Sequence, residues 1–565
     1  MKKKRIIVIG GSAAGPKAAS RARRLDEDVE IVMIQKSADL SMASCGYPYY
    51  VGGFFDDRNQ LLCSPAGVVR DPNFFLNGKN IIAKVNTEVT SIDKKAKKVE
   101  FKNLISGETG SLEYDKLVIA TGAVPRKPPI SGIDLEGITT LLSMPDADYL
   151  RKVRDEGKIK KAVVIGGGLI GIETVEALHL AGIEVTLIEL LPQLLTFLDL
   201  HLAQLVERYV KTKANVILQN GVSAFLGENG KLKAVKLNDG TELPCDLAVL
   251  AIGVMPNSKL ARDAGLSVSQ TGGIVVDEYM QTSDPDIYAI GDCVEIPNLI
   301  TNNKVHAPFG DLANLQGRVV GDNLIKGNVT KFNGTIQTGV CKIFDYAAGT
   351  TGLSEQNAKK NGITNIETVI SASLDKPGFM NGNLLITKLI VDKSTERILG
   401  AQVVGPGDVS KQLAIWAMAI QGKLTVNDMA NADLPYAPPF SLAIDHSIAT
   451  AHVMQNKLRG LFKTITAEEV KEKAKNNDGK AVFLDVRNPV EFEQMRLGIG
   501  ERLIPLGQLR KRINELPEDK NTEIITWCKI SLRGYEASII LKANGYTNVK
   551  VMEGGIVSWP FSREK

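Results

Sequence analysis

Cysteine is scarce in this chain of 565 residues, and no two cysteines stand close together. The six, Cys45, Cys63, Cys245, Cys293, Cys341 and Cys528, show neither a Cys-x-x-Cys nor the spacing of a disulfide framework or a zinc site. That scatter suits a reducing compartment. An excess of one charge is missing too: 68 Lys and Arg stand against 64 Asp and Glu, spread along the chain, which argues against nucleic acid or a membrane surface as partner. No apolar run is long enough to span a bilayer. Met1-Lys2-Lys3-Lys4-Arg5 before Ile6-Ile7-Val8-Ile9 imitates a signal peptide, but glycine ends the apolar run after four residues. A buried first strand in a cytoplasmic protein is expected instead.

What is present is an ordinary globular composition, 44% hydrophobic and 23% charged, in a length that suits three or four domains. The β-branched run at 5–9 leads straight into Gly10-Gly11-Ser12-Ala13-Ala14-Gly15 and then an Ala- and Arg-rich helix. Strand, tight turn and helix in that order can cradle a pyrophosphate: glycine lets backbone amides close in, and the helix amino terminus adds its positive end. Ser12 replaces the usual second glycine, and a turn of purely structural purpose is the alternative. About 20 residues on, where an acid normally holds ribose hydroxyls, stands Gln35, an amide that binds a hydroxyl more weakly. The pattern returns in full as Gly166-Gly167-Gly168-Leu169-Ile170-Gly171, a helix, and a strand ending in Glu189. A carboxylate there accepts from a free 2′-hydroxyl and repels a 2′-phosphate, so the second nucleotide is expected to be NADH. Small-residue turns at Thr121-Gly122 and Ile252-Gly253 each end an apolar strand, and a later strand delivers Asp292 beside Gly291, where a helix cap is the default reading.

Between the first strand and the second pattern lies Ser41-Met42-Ala43-Ser44-Cys45-Gly46-Tyr47-Pro48-Tyr49-Tyr50. A thiol does redox chemistry as its thiolate, which a helix amino terminus or an electron-accepting ring favours. The alternative for Cys45 is a small buried hydrophobe.

With these motifs, residues 1 to about 455 resemble the two-dinucleotide flavoprotein disulfide reductases, and within them the single-cysteine branch of coenzyme A disulfide and NADH-dependent persulfide reductases. The resemblance implies an α/β fold: two Rossmann-like dinucleotide-binding domains, for FAD at 1–147 and 255–327 and for NADH at 148–254, then an α+β dimerisation domain at 328–456. It implies FAD on Gly10, Ser12, Ala13, Ala14, Gly15, Gln35, Lys36, Val89, Thr121, Gly122 and Asp292, and NADH on Gly166, Gly168, Gly171, Glu189 and Gly253. Cys45 takes the redox role, Ser44 departing from the family's asparagine. The two-cysteine branch needs a second cysteine where Tyr50 stands, so electrons would leave through a substrate sulfur. In the homodimer that the family forms, Tyr436 would reach the other subunit's cysteine and hydrogen-bond a thiolate or protonate a departing thiol. A tyrosine packed beside prolines is the alternative. Ser41, Ser44 and the basic helix residues Lys17, Arg21 and Arg24 are the implied substrate contacts, the basic face holding coenzyme A phosphates; a solvated face explains those charges equally well. Asp375-Lys376, where the family has two tyrosines, and Ile444, where it has a basic residue, count against coenzyme A.

Residues 457–463 read as a linker, after which a helix at Ala467–Lys475 starts a new domain. A strand ending in Asp485 and Arg487 follows, and another at 523–527 runs into Cys528-Lys529-Ile530-Ser531-Leu532-Arg533-Gly534. This stretch resembles the rhodanese sulfurtransferases and implies a C-terminal α/β rhodanese domain at 464–565, in which loop amides and Arg533 surround a thiolate or persulfide on Cys528. Residues 495–500 depart from that family's usual segment. Together the two resemblances imply an NADH oxidoreductase that reduces a persulfide, polysulfide or coenzyme A disulfide through Cys45, coupled to sulfur transfer at Cys528, with no metal. The rival enzyme is an NADH oxidase or peroxidase cycling through a Cys45 sulfenic acid, against which counts the lack of any histidine before His179. Outside enzymes, the rival is a redox sensor that merely holds FAD and NADH.

Overall fold

Four consecutive apolar residues, Ile6 to Ile9, leave neither face of a strand fit for water. In the computed structural model, which describes residues 3–476 and 479–564, they lie in Arg5–Ile9, the middle of a five-stranded sheet. Met1 and Lys2 of the basic start, and Lys565 at the end of the expected rhodanese domain, lie outside the described residues. The sheet runs Ile287–Ala289, Lys116–Ile119, Arg5–Ile9, Glu30–Ile34, Ile82–Lys84, every pairing parallel. A second parallel sheet repeats the arrangement with Lys161–Ile165 between Glu184–Ile188 and Leu247–Leu250. Registers correspond: Ile9 stands beside Ile34 and Ile119, and Ile165 beside Ile188 and Leu250. In each sheet the chain leaves the central strand at its carboxyl end between neighbours on either side, the crevice where open α/β sheets bind ligands. Helix Ala14–Arg23 packs closely on Gly310–Lys326, since a β-carbon on Gly317 would lie 2.5 Å from the Ala14 carbonyl oxygen.

These elements belong to one compact unit, Met1–Leu190 with Ile217–Thr335; a second comprises Leu191–Val216 and Ile336–Lys565. The second unit holds an antiparallel sheet in the order Gly339–Ile343, Tyr346–Gly352, Ile398–Gly405, Leu384–Asp392, Ile366–Leu374, backed by Val409–Gln421 and His446–Leu458. It also holds a parallel sheet in the order Lys463–Ile465, Val549–Met552, Glu523–Trp527, Ala481–Asp485, Arg502–Leu503. The linker expected at 457–463 is shorter, 459–462: Lys457 still lies in the last turn of His446–Leu458, half-buried in ion pairs with Glu367 and Glu553, and Lys463 already begins a strand. No described helix is long and apolar enough to cross a membrane.

Candidate active site

The turn after Arg5–Ile9 needs glycine where the backbone leaves the sheet. Gly10 has φ +112°, and a β-carbon there would collide with the Ala120 carbonyl; one on Gly15 would collide with the Gly10 carbonyl. Gly166, at φ +108°, and Gly171 repeat both constraints against Ala251 and Gly166. Helices Ala14–Arg23 and Leu169–Leu180 start without a side-chain cap and without an acid in the first turn, the condition in which a helix amino terminus takes a bound anion. Each turn is tied to the end of the neighbouring strand: the Gly11 N–H donates to Gln35 Oε1 and the Gly167 N–H to Glu189 Oε2, both at 2.7 Å. Gln35 is buried, and its Nε2 donates to Ser37 Oγ at 2.6 Å. Its amide therefore holds the turn, which needs only an acceptor and not a charge. Thr121 Oγ1 donates to the Asn257 carbonyl at 2.6 Å, tying the first small-residue turn to the chain just after Val254–Pro256. Around these turns there is room: a β-carbon on Gly122, Gly168 or Gly253 would meet nothing within 4 Å. Paired uncapped helix starts, obligatory glycines and open space at the strand ends fit two dinucleotides.

Cys45 occupies a single 3-10 turn, Ser44–Gly46, that opens into the short helix Tyr47–Gly52. Ser41, at φ +50°, donates its N–H to the Gly11 carbonyl at 2.7 Å, and the Ala43 N–H donates to the Leu61 carbonyl at 2.8 Å. The cysteine segment thus hangs from the first glycine turn. Cys45 is exposed, yet its thiol is partly desolvated, with Gly310 beside it: a β-carbon there would lie 3.8 Å from Sγ. That crowding raises the thiol pKa, and the carboxylates of Glu173, Asp292 and Asp311 raise it further. These acids come from three places, the helix behind the second glycine turn, the end of the first sheet, and the first turn of Gly310–Lys326. Cys45 therefore sits where both dinucleotide units converge. A lowered thiol pKa is the sequence expectation, and the protein alone supplies the opposite, because desolvation first and the three acids second disfavour the thiolate. Glu173, Asp311 and Gly310 were not singled out in the sequence; Glu173 also accepts from Tyr49 Oη at 3.0 Å. Tyr50, in the place of a second cysteine, is buried and stacks on Phe55.

Asp292 begins no helix. It follows Gly291, whose N–H donates to buried Gln316 at 2.7 Å, and its own carbonyl accepts from His306 Nε2 at 2.8 Å. Burial raises its carboxyl pKa while His306 pulls it down. Ser12 is exposed and Ala13 half-buried at the first turn. Lys36 pairs with Glu88 at the surface, and Val89 is buried beside an irregularity in its ladder. Of the expected basic face, Arg21 pairs with Asp322 at 2.6 Å, Lys17 lies against Gly317, and Arg24 is exposed. Asp375 is buried, accepting from the Asn383 and Asp408 N–H groups, so its carboxylate shapes a turn. In the second unit Tyr436 and Ile444 are exposed.

Cys528 is buried at the end of Glu523–Trp527, and Ser531, at φ +75°, turns the chain into Leu532–Ala543. Arg533 makes a two-point ion pair with Glu491, at 2.7 and 2.8 Å. Glu491 holds the Arg533 guanidinium well above its ordinary pKa against the burial that would lower it, and Cys528 adds to that pull. Arg487 in turn is locked on buried Asp485 and donates to the Glu491 and Met495 carbonyls, so the Asp-Arg pair at the strand end fixes the helix that carries Glu491. Glu491 was not picked out in the sequence, although it stands four residues after Arg487 on a new helix.

Residues 4–307 match the pyridine nucleotide-disulphide oxidoreductase family, and 338–448 match its dimerisation domain. The chain belongs to the pyridine nucleotide-disulphide oxidoreductases. In this family FAD and NAD(P)H are the implied cofactors. A rhodanese-like domain matches at 466–560. The oxidoreductase is 35% identical over 454 residues to the "NAD(P)H coenzyme A polysulfide/persulfide reductase" of Pyrococcus horikoshii, covering 80% of this chain and 99% of that one. Two solved structures match nearly end to end, rhodanese domain included. One is a NAD-dependent persulfide reductase from A. fulgidus, 42% identical, with TM-score 0.93 over 98% of this chain and all of that one. The other is reduced Bacillus anthracis CoADR-RHD, 36% identical, with TM-score 0.91 over 99% of this chain and 98% of that one.

Proposed function

We propose that this protein is an FAD-dependent NADH oxidoreductase that reduces a persulfide, polysulfide or coenzyme A disulfide through Cys45, with a rhodanese sulfurtransferase as its last domain. The observation that carries this reading is the open thiol of Cys45 at the convergence of both glycine-turn units, with no cysteine among its immediate chain neighbours to take the second sulfur role. FAD would lie on Gly10, Ser12, Ala13, Ala14, Gly15, Gln35, Lys36, Val89, Thr121, Gly122 and Asp292, and NADH on Gly166, Gly168, Gly171, Glu189 and Gly253; the Glu189 carboxylate favours NADH over NADPH. Bound FAD would supply an electron-accepting ring and an electron pair taken from NADH.

Cys45 does the rest. Its thiol pKa is raised by desolvation and then by Glu173, Asp292 and Asp311, and once deprotonated it attacks the substituted sulfur of RS–SH as a thiolate, forming Cys45–S–S–R and expelling HS⁻. The electron pair opens that bond, restoring the Cys45 thiolate and releasing RS⁻, and two protons complete RSH and hydrogen sulfide. Cys528 takes a sulfane sulfur from thiosulfate, releasing sulfite, and passes it from Cys528–S–SH to a thiolate, which leaves as RS–SH. One site thus makes what the other consumes. The protein works as a homodimer, a reading supported by exposed Phe379, Phe440 and Tyr436 within the segment matched to the dimerisation domain, and its place is a reducing cytoplasm. Tyr436 serves as proton donor to the departing thiol of the other subunit. Coenzyme A is the candidate carrier R, with Ser41, Ser44, Lys17 and Arg24 as its contacts.

NADH consumption measured side by side with coenzyme A persulfide, coenzyme A disulfide, polysulfide, oxygen and peroxide tests the reading. A sulfur acceptor should give the fastest turnover, and Cys45→Ser should abolish it while FAD stays bound. Faster turnover with oxygen or peroxide, or wild-type sulfur turnover in Cys45→Ser, would overturn it.

A further inference from the structure

The loop after Cys528 rests on the stretch that follows Val549–Met552. The Ile556 N–H donates to the Cys528 carbonyl at 2.9 Å, and the Val557 N–H to the Lys529 carbonyl at 3.2 Å. Ser531 Oγ donates to the Met552 carbonyl. Gly555, at φ +65°, makes the approach feasible, since a β-carbon there would lie 2.6 Å from the Cys528 carbonyl oxygen and 2.7 Å from that of Lys529. In a trans peptide the carbonyl and the next N–H point in opposite directions. Two carbonyls drawn onto 556–557 therefore turn the N–H groups of Lys529 and Ile530 away from that support, into the loop, where amides stabilise a thiolate or persulfide.

What fixes the support comes from another domain. Glu553, the first residue after Val549–Met552, is buried; its Oε2 accepts from the Ile370 N–H at 3.0 Å and its Oε1 from Lys457 Nζ at 2.8 Å. Ile370 lies on Ile366–Leu374 of the antiparallel sheet and Lys457 on His446–Leu458. Lys457 also donates to the Thr368 carbonyl at 2.6 Å and pairs with Glu367 at 3.0 Å. Burial alone would lower the Lys457 pKa, but Glu553 and Glu367 outweigh it and raise it. Gly554 packs against Ile370 as well, its β-carbon position 3.0 Å from Ile370 Cγ2.

We infer that the sulfurtransferase loop is held from outside its own domain, with Glu553 as the positioning residue that, pinned by Lys457 and the Ile370 N–H, aims the loop amides at the Cys528 sulfur. This deepens the sulfurtransferase reading of Cys528 and rests on it. It makes the rhodanese domain a dependent part of the second unit: the loop amides keep their aim only while the antiparallel sheet and its helix hold Glu553.

The test uses the full-length FAD-loaded protein with Glu553→Gln, which keeps shape and an acceptor, and Lys457→Met, which acts from the neighbouring domain. Thiosulfate-to-cyanide transfer should fall about tenfold in kcat in both, with KM changed less, while NADH-dependent reduction of a persulfide supplied in excess stays at the wild-type rate. Amide exchange at 529–533 should quicken and Cys528 alkylation should change its pH profile, with Lys457→Arg restoring both. Wild-type exchange and alkylation in both Glu553→Gln and Lys457→Met would overturn the inference. Should the wild type transfer no sulfur from thiosulfate, the sulfurtransferase reading falls, and the exchange and alkylation measurements still decide whether Glu553 holds the loop.

Discussion

The pair that closes the Cys528 loop allows a worked prediction. Arg533 reaches Glu491 at two points, 2.7 and 2.8 Å, with the side chains 31% and 24% exposed. Hydrogen bonds to charged groups contribute about 1.5–3 kcal/mol, and partial exposure brings this one just below that range, to about 1.4 kcal/mol, or a factor of about ten. Glu491→Ala leaves Arg533 without its acceptor, so its guanidinium should spend most of its time in orientations that do not serve the sulfur site. Thiosulfate sulfurtransfer should then fall about tenfold in kcat/KM. Glu491→Gln keeps one acceptor without charge and should fall about threefold, roughly half that free energy. Steady-state sulfurtransfer at fixed ionic strength is the assay, with NADH-dependent persulfide turnover at Cys45 as the internal control. An unchanged or raised kcat/KM in Glu491→Ala would refute the reasoning, because it would mean that Arg533 serves the dianion better when released.

Gly171→Ala places a β-carbon on the Gly166 carbonyl, which is backbone and cannot swing away; NADH KM should rise about tenfold or more while flavin absorbance is retained, and Gly15→Ala should show the reverse loss, in FAD retention. Buried His446, between Ser373 and Thr387, has its pKa lowered to about 4 by desolvation, Asp445 opposing. Because the unfolded imidazole titrates near 6.5 and the folded one lower, its contribution is present above pH 6.5 and lost as pH falls toward 4, about 2 kcal/mol gone by pH 5. The three tryptophans, Trp416, Trp527 and Trp559, are all buried in the second unit, so fluorescence-detected denaturation at pH 7 and 5 follows that unit, and His446→Gln should remove the His446 share of the loss.

Much of the catalytic plan is legible in order along the chain. A glycine turn between strand and helix is a local object: the residues that shape it are neighbours, and backbone sterics at Gly10 and Gly166 allow little else. The same holds for the sulfurtransferase loop, whose cysteine, turn and arginine lie within six residues. What no local pattern carries is the company each group keeps. Gln35 looks in sequence like a weakened ribose ligand, and only the folded chain shows it bonded to Gly11. Arg21 looks like part of an open basic face until Asp322, 301 residues away, takes its charge.

The chain by itself determined two glycine-turn units of the dinucleotide-binding kind, one thiol without a cysteine neighbour and a separate rhodanese-like loop, because those depend on backbone conformation and on side chains a few residues apart. Tertiary structure decided the electrostatic surroundings of the Cys45 thiol and the ties between one domain and the next. Glu173, Asp292 and Asp311 meet around Cys45 from three distant segments, and Glu553 meets Lys457 across 96 residues. Charge interactions act through space and grow as water is excluded, so their sign and strength appear only once the chain has folded.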